Sequence, residues 1–258
     1  MAKLYTLGRG ELMFSPFAPG TQNETGFDDL GNVPEFNLSR EVETLEHFSS
    51  REGLRVKDQS VVTQYMMMGN FVADEVRTQN LAYFLGGTST AQTVSSGTGV
   101  ETTITNAMRG RTYQLGVSGQ NQMGLRDVTN VVVTASPGGA TITAQDNYTV
   151  DAESGLLKIL PDAPGITSPM NLSVTFNHGS FTRQLVITSE MEVEGAMRFI
   201  SRAPVGMRVN WYLPWVKLTP NGDMQVISEE WATIPFTIEV LKKTGVATAY
   251  AGGIPVVA

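Results

Sequence analysis

Groups that titrate, donate an electron pair to a reacting centre or bind metal are sparse in this chain. There are two histidines, His47 and His178, and no cysteine. Neither histidine has a second one at ligand spacing, so each reads as an ordinary strand-end or loop residue. The lack of cysteine removes thiol nucleophiles, thiolate metal sites and disulfides, and is compatible with a reducing cytoplasm. Asp28 with Asp29, and Glu229 with Glu230, are adjacent carboxylates that could be taken for an acid–base pair. Adjacent side chains on an extended chain point apart, which favours solvated loops instead. The Gly97, Thr98, Gly99 stretch lacks the third glycine and the strand-to-helix setting of a phosphate cradle. With no nucleophile elbow, helical metal motif or P-loop, the residues predict no catalytic group, no metal and no cofactor.

Binding chemistry has more candidates. Met66, Met67 and Met68, with Met191, Met197, Met207 and Met224, could make an adaptable surface, but methionine more often fills irregular gaps in a core or subunit interface. Trp211, Tyr212, Trp215 and Trp231 could stack on sugars; alternation sends Trp211 and Trp215 to one face, and core packing is the favoured reading. The patterned charge is acidic. The most regular strand of the chain is 184–195 (QLVITSEMEVEG), and its alternation puts Glu190, Glu192 and Glu194 on one face. At a spacing of about 7 Å their mutual repulsion in water is about 0.6 kcal/mol per neighbouring pair, whereas burying one unpaired carboxylate costs several kcal/mol. That face is therefore wet, or every carboxylate on it is paired.

The elements that must position these residues centre on 34–87. In 35–48 (EFNLSREVETLEHF) Glu35, Asn37, Ser39, Glu41 and Glu43 face one way, and Phe36, Leu38 and Val42 the other. Residues 60–73 resume a strand pattern, so the two form a hairpin with a mobile tip. Asp74 and Thr78 are candidate N-caps for a helix over 79–85, which Gly86 and Gly87 would end. Upstream, 3–17 reads as a strand or arm and 20–31 as a loop. Residues 88–105, rich in Ser, Thr and Gly, read as a flexible connector in preference to a solvated edge strand.

Short strands follow at 112–117, 128–135, 141–144, 147–150, 156–159 and 172–176, separated by turn residues, the pattern of a β-sandwich or related antiparallel module. Strands are also predicted at 198–201, 207–213, 215–218, 224–228 and 233–242. The uncharged tail 245–258 should dock on its own domain or on another copy. The fold class is mainly β, an antiparallel sandwich or barrel-forming fold with one short helix and a long hairpin loop.

At 258 residues the chain can bury about 70 to 75% of its unfolded surface, enough for a core without staples. A net charge of −7 and a pI near 4.9 argue against general nucleic-acid affinity. No segment approaches the roughly 20 apolar residues of a spanning helix, and the N-terminal MAKLYTLGRGELMF has no apolar signal core, so a soluble, unprocessed protein is expected.

Residues 27–87, from FDDLGNVPEFNLSREVETLEHFSSREGLRVKD through to the helix, resemble the N-terminal half of the major tail tube proteins of long-tailed bacteriophages. The shared features are a G-N-x-P-x-F-x-L opening into an acidic strand, an H-x-S-x-R-x-G turn, a second strand, and the helix after an acidic dipeptide. The runs DNYTVDAESGLLKIL at 146–160 and PNGDMQVISEEW at 220–231 are similar to later parts of that family. The resemblance implies a structural protein of the virion tail, made in the host cytoplasm, whose hexameric rings stack into a tube for DNA ejection. Its implied partners are further copies of itself, a tape measure protein, and tail terminator and distal tail proteins, with DNA passing without sticking and no membrane.

It further implies a core domain of 1–87 with 183–258, and 88–182 as an inserted β-rich subdomain or an extension of the same domain. Strands 35–48, 60–73, 184–195 and 233–242 would join a barrel continuous across subunits. On this reading Glu41, Glu43, Glu190, Glu192 and Glu194 line the lumen and repel phosphate. The competing reading puts them on an outer face or pairs them with Arg40, Arg51 or Lys57. Ser50, Arg51, Glu52, Arg55, Lys57 and Asp58, in the loop 48–59, would contact the next ring. A carbohydrate-binding or adhesin-like β-sandwich is the alternative function, suggested by the Trp and Tyr content.

Overall fold

The structure, a computed structural model, describes residues 5–51, 53–188 and 192–255. It is mainly β, with antiparallel sheets and one short helix. The chain divides into two compact units, 1–90 with 184–258, and 91–183. Along the chain come β1 (Gly10–Pro16), β2 (Asp28–Asp29), β3 (Glu35–Ser49), β4 (Val56–Ala73), α1 (Thr78–Phe84) and β5 (Gly87–Val94). Then follow β6 (Gly97–Ala107), β7 (Thr112–Gln114), β8 (Val128–Ala135), β9 (Thr141–Ile142), β10 (Tyr148–Asp151), β11 (Leu156–Ile159) and β12 (Met170–His178). The chain returns through β13 (Phe181–Thr188), which pairs with β5, to β14 (Val193–Ser201), β15 (Met207–Pro220), β16 (Ile234–Val240) and β17 (Tyr250–Pro255).

In the first unit the strands form one sheet in the order β2-β1-β14-β15-β16-β4-β3, and β17 pairs with the free edge of β15 that β16 leaves uncovered. The tail thus docks on its own unit. Phe71, Phe236, Ile238, Val216, Leu213 and Phe14 are buried on one face. Four strand spacings separate β14 from β3, about 19 Å if the sheet were flat. Yet the rings of Phe36 on β3 and Phe199 on β14 are 5.8 Å apart, so the sheet rolls around its apolar face. Close approach inside the roll requires Gly69: a Cβ there would meet the Asn37 carbonyl at 2.4 Å and Leu38 Cδ2 at 2.9 Å.

Helix α1 plugs the roll. Tyr83 meets Phe14 edge-on at 5.1 Å and Phe84 meets Phe236 at 6.2 Å. The buried Asn80 amide donates to the Leu30 and Glu75 carbonyls, tying the helix to the 28–34 segment. Burial pushes the Tyr83 phenol up to about 12. The helix ends at Gly86, which takes the left-handed φ of +59° that glycine accepts without strain. Neither Asp74 nor Thr78 caps it: the N-cap is Arg77, with no side-chain cap. Asp74 instead accepts from the Asn32 amide at 2.7 and 2.8 Å.

The second unit has its own core. Sheets β6-β12-β8-β9 and β10-β11-β7 bury Val133, Leu157, Ile159, Leu172, Val174 and Phe176. At the β10–β11 turn, the Ser154 N–H donates to Asp151 and lowers that carboxyl below its ordinary value.

Several expectations are corrected. Residues 88–105 are no connector but most of β5 and β6, because threonine suits a strand once a partner edge is present, here β13 and β12. Residues 184–195 are not one strand. β13 ends at Thr188 in the two-stranded ribbon and β14 begins at Val193 in the rolled sheet; an unbroken alternation cannot register a change of sheet. Residues 224–228 form no strand, since no edge pairs with them. The hairpin turn is shorter than 48–59: pairing runs out to Ser49 and Val56, which puts Lys57 and Asp58 in a strand. Trp211 and Trp215 do not share a face. A register shift opposite Gly195 and Met197, where Pro214 interrupts β15, reverses the alternation between them.

Candidate functional site

The register of the rolled sheet assembles the acidic residues. Glu194 on β14 stands opposite Lys217, Lys217 opposite Glu239, Glu239 opposite Met68, and Met68 opposite Ser39. This row crosses the sheet on the side away from the core. Alternation along β3 puts Glu35, Glu41 and Glu43 on the same side as Ser39, with Glu41 opposite Met66 and Glu43 opposite Gln64. Glu35, Glu41, Glu43, Glu194 and Glu239 therefore share a wet face, although three separate strands supply them.

Lys217 is the cation set among them. Its Nζ donates to Glu192 Oε1 at 2.5 Å, and that bond, followed by the nearby charges of Glu194 and Glu239, raises the ammonium above its ordinary value. Glu192 precedes β14 and joins the group through this contact, not through a strand position. Glu190 lies outside the described residues. Of the partners expected from sequence for the lumen glutamates, Lys57 binds Glu46, and the Arg40 guanidinium lies 5.1 Å from the centroid of Tyr65. Lys217 and Glu239 escaped the sequence reading, although Glu239 was available in it. Ile234, Phe236, Ile238 and Val240 alternate toward the core, which leaves Glu239 on the opposite side.

The projecting hairpin is the second feature. β16 covers β4 only from Met67 to Ala73, so beyond that point, among the described residues, β3 and β4 pair with each other alone. The free part of β4, from Val56 to Met66, spans about 35 Å at the usual strand rise. Both of its faces are exposed, and they carry Val42, Leu45, Val61, Val62, Tyr65 and Met66. Such a ribbon is marginally stable alone in water. Its internal ties are exposed ones: His47 Nδ1 to Asp58 at 2.5 Å, Lys57 to Glu46, and Arg55 over the ring of Phe48. Exposed pairs of this kind contribute about 0 to 1 kcal/mol each.

Ser50, Arg51 and Arg55 sit in the exposed turn, and Lys57 and Asp58 at the start of β4. Glu52 lies outside the described residues. His178 ends β12, buried, with Nδ1 3.0 Å from the Gly179 carbonyl. Among the described residues no cluster of three His, Asp or Glu side chains is placed to hold a metal, and no helix is long and apolar enough to cross a membrane.

The family described as Protein of unknown function UCP028589 matches residues 5–253. The chain belongs to this family. The match takes in most of both compact units, with the rolled sheet, the hairpin and the first part of the docked strand β17. No curated protein matches the chain.

Proposed function

We propose that the chain is the repeating subunit of a hollow tube, a structural protein whose copies close into hexameric rings and stack as phage tail tubes do. The carrying observation is the hairpin: two strands of 15 and 18 residues whose outer halves hold no buried residue among the described ones. β3 is moreover the edge of its sheet: among the described residues no strand pairs with its outer side, which runs beside exposed apolar side chains. An edge of that kind invites pairing with another chain, and closing the sheet across identical copies removes it.

The acidic face supplies the second half of the reading. A bore lined by Glu41, Glu43, Glu192 and Glu194 repels phosphate, so DNA slides through without being held. The turn residues Ser50, Arg51 and Arg55, with Lys57 and Asp58, carry charge of both signs and set the register between stacked rings. A tape measure protein within the bore and terminating proteins at the two ends complete the assembly.

Negative-stain microscopy of the purified chain over a concentration series tests this. Rings or tubes are expected to appear as concentration rises. A chain that stays monomeric throughout the series, whether or not it binds glycans, overturns the proposal.

A further inference from the structure

The connection 221–233 between β15 and β16 exposes three large apolar side chains almost completely: Val226 at 85%, Ile227 at 96% and Trp231 at 93%. Water is a poor environment for so much apolar surface in so short a stretch. The Ser228 hydroxyl donates to the Glu230 carbonyl at 2.7 Å and accepts from the Glu230 N–H at 3.1 Å, so a local turn fixes the backbone between Ile227 and Trp231. An exposed indole beside a hydrogen-bonded turn has the form of a binding anchor, because a turn that is already formed loses less backbone entropy on docking.

The same unit carries a matching recess. Where the sheet rolls, the mouth between β1 and β3 is a groove of about 810 Å³, walled by Phe36, Leu38, Phe199 and Trp211. Its volume suits a few large side chains. Gly8 and Arg9 form its lip on one side and Glu35 borders it on the other, with the Glu35 carboxylate held by the Asn37 amide. Among the described residues Arg9 makes no ion pair; its guanidinium donates to the carbonyl of neighbouring Gly8. Glu229 and Glu230 directly precede Trp231 and likewise make no ion pair among the described residues. Apolar surface meets apolar surface, and the anionic rim of the turn meets Arg9 on the lip of the groove.

We infer that the occupant of this groove is a second copy of the chain: the 221–233 turn of one subunit seats Trp231 and Ile227 in the β1–β3 groove of the next. The contact is head-to-tail, since turn and groove are different surfaces, and a head-to-tail contact generates rings or filaments and not isolated dimers. It rests on the tube reading and adds to it a contact separate from the hairpin.

The chain has no cysteine, so paired single-cysteine variants of the full chain report the contact without background. Gly8→Cys lies on the groove lip with nothing within 4 Å of the added Cβ, and Gly119→Cys, equally open, serves as the control. Assemblies grown from equal amounts of Gly8→Cys and Ile227→Cys chains are expected to oxidise to an 8–227 disulfide. Neither variant alone should give a dimer, nor should Gly119→Cys mixed with Ile227→Cys. Trp231→Ala, an exposed change, should keep the monomer's melting temperature and raise the concentration at which assembly begins by about tenfold or more. Rings or tubes without the 8–227 disulfide, or with 227–227 disulfides instead, overturn the groove contact and leave the tube reading standing. Assembly by Trp231→Ala at the wild-type concentration also overturns the groove contact. Monomers at every concentration overturn both.

Discussion

At the residue scale, the acidic face is governed by solvation. Its carboxylates come from β3, β14 and β16 and stay in water, and Lys217 is held among them by a direct bond to Glu192. Because the folded chain raises the Lys217 pKa above its ordinary 10.5, this contact stabilises the fold fully below pH 10.5 and is lost as pH rises through the folded value. Thermal melts should therefore show wild type losing stability faster than Lys217→Met above that pH; parallel curves would show that the contact adds nothing. The wall's effect on DNA is tested by charge reversal. Assemblies of the triple variant Glu41→Lys, Glu43→Lys, Glu194→Lys should retain duplex DNA on a filter at about 0.15 M salt and release it as salt rises, whereas wild-type assemblies should not retain it. Equal retention by both would reject the bore assignment.

At the element scale, the hairpin and the core answer to different forces. The base of β4 is locked by apolar packing, with Phe71 stacked on Phe236 at 4.9 Å. Phe236→Ala should cost about 3 to 5 kcal/mol of unfolding free energy, read by denaturant titration. The far half of the ribbon holds no buried residue among the described ones, so removing 50–57 should leave the monomer's melt nearly unchanged and stop tube growth in the microscope. Tubes of normal length from that deletion would remove the turn from the contact between rings. This division was partly legible in the sequence. The period of two in 35–48 and 60–73 identified both strands and both faces, because alternation is a local property of extended backbone. That the apolar side is core at Phe36 and open to water at Val42 was not legible, since it depends on where β16 stops.

At the scale of the whole molecule, each compact unit has a separate apolar core. Expressed alone, 91–183 should give a single cooperative thermal transition with retained far-ultraviolet β signal; a chain without a transition would show that this unit borrows its stability. By itself the sequence determined the fold class, the acidic balance, most short strands and the helix, all of which follow from composition and near-neighbour periodicity. Tertiary structure alone decided that 184–195 is divided between two sheets, that threonine-rich 88–105 pairs as strand, and that Trp211 and Trp215 part company at Pro214. It alone set Glu192, Glu194 and Glu239 around Lys217 and put Glu35, Glu41 and Glu43 on the same side of the sheet. The physical reason is common to all of these: which edge a strand finds, and at what register, is set by pairing across long stretches of chain, and no window of neighbouring residues contains that information.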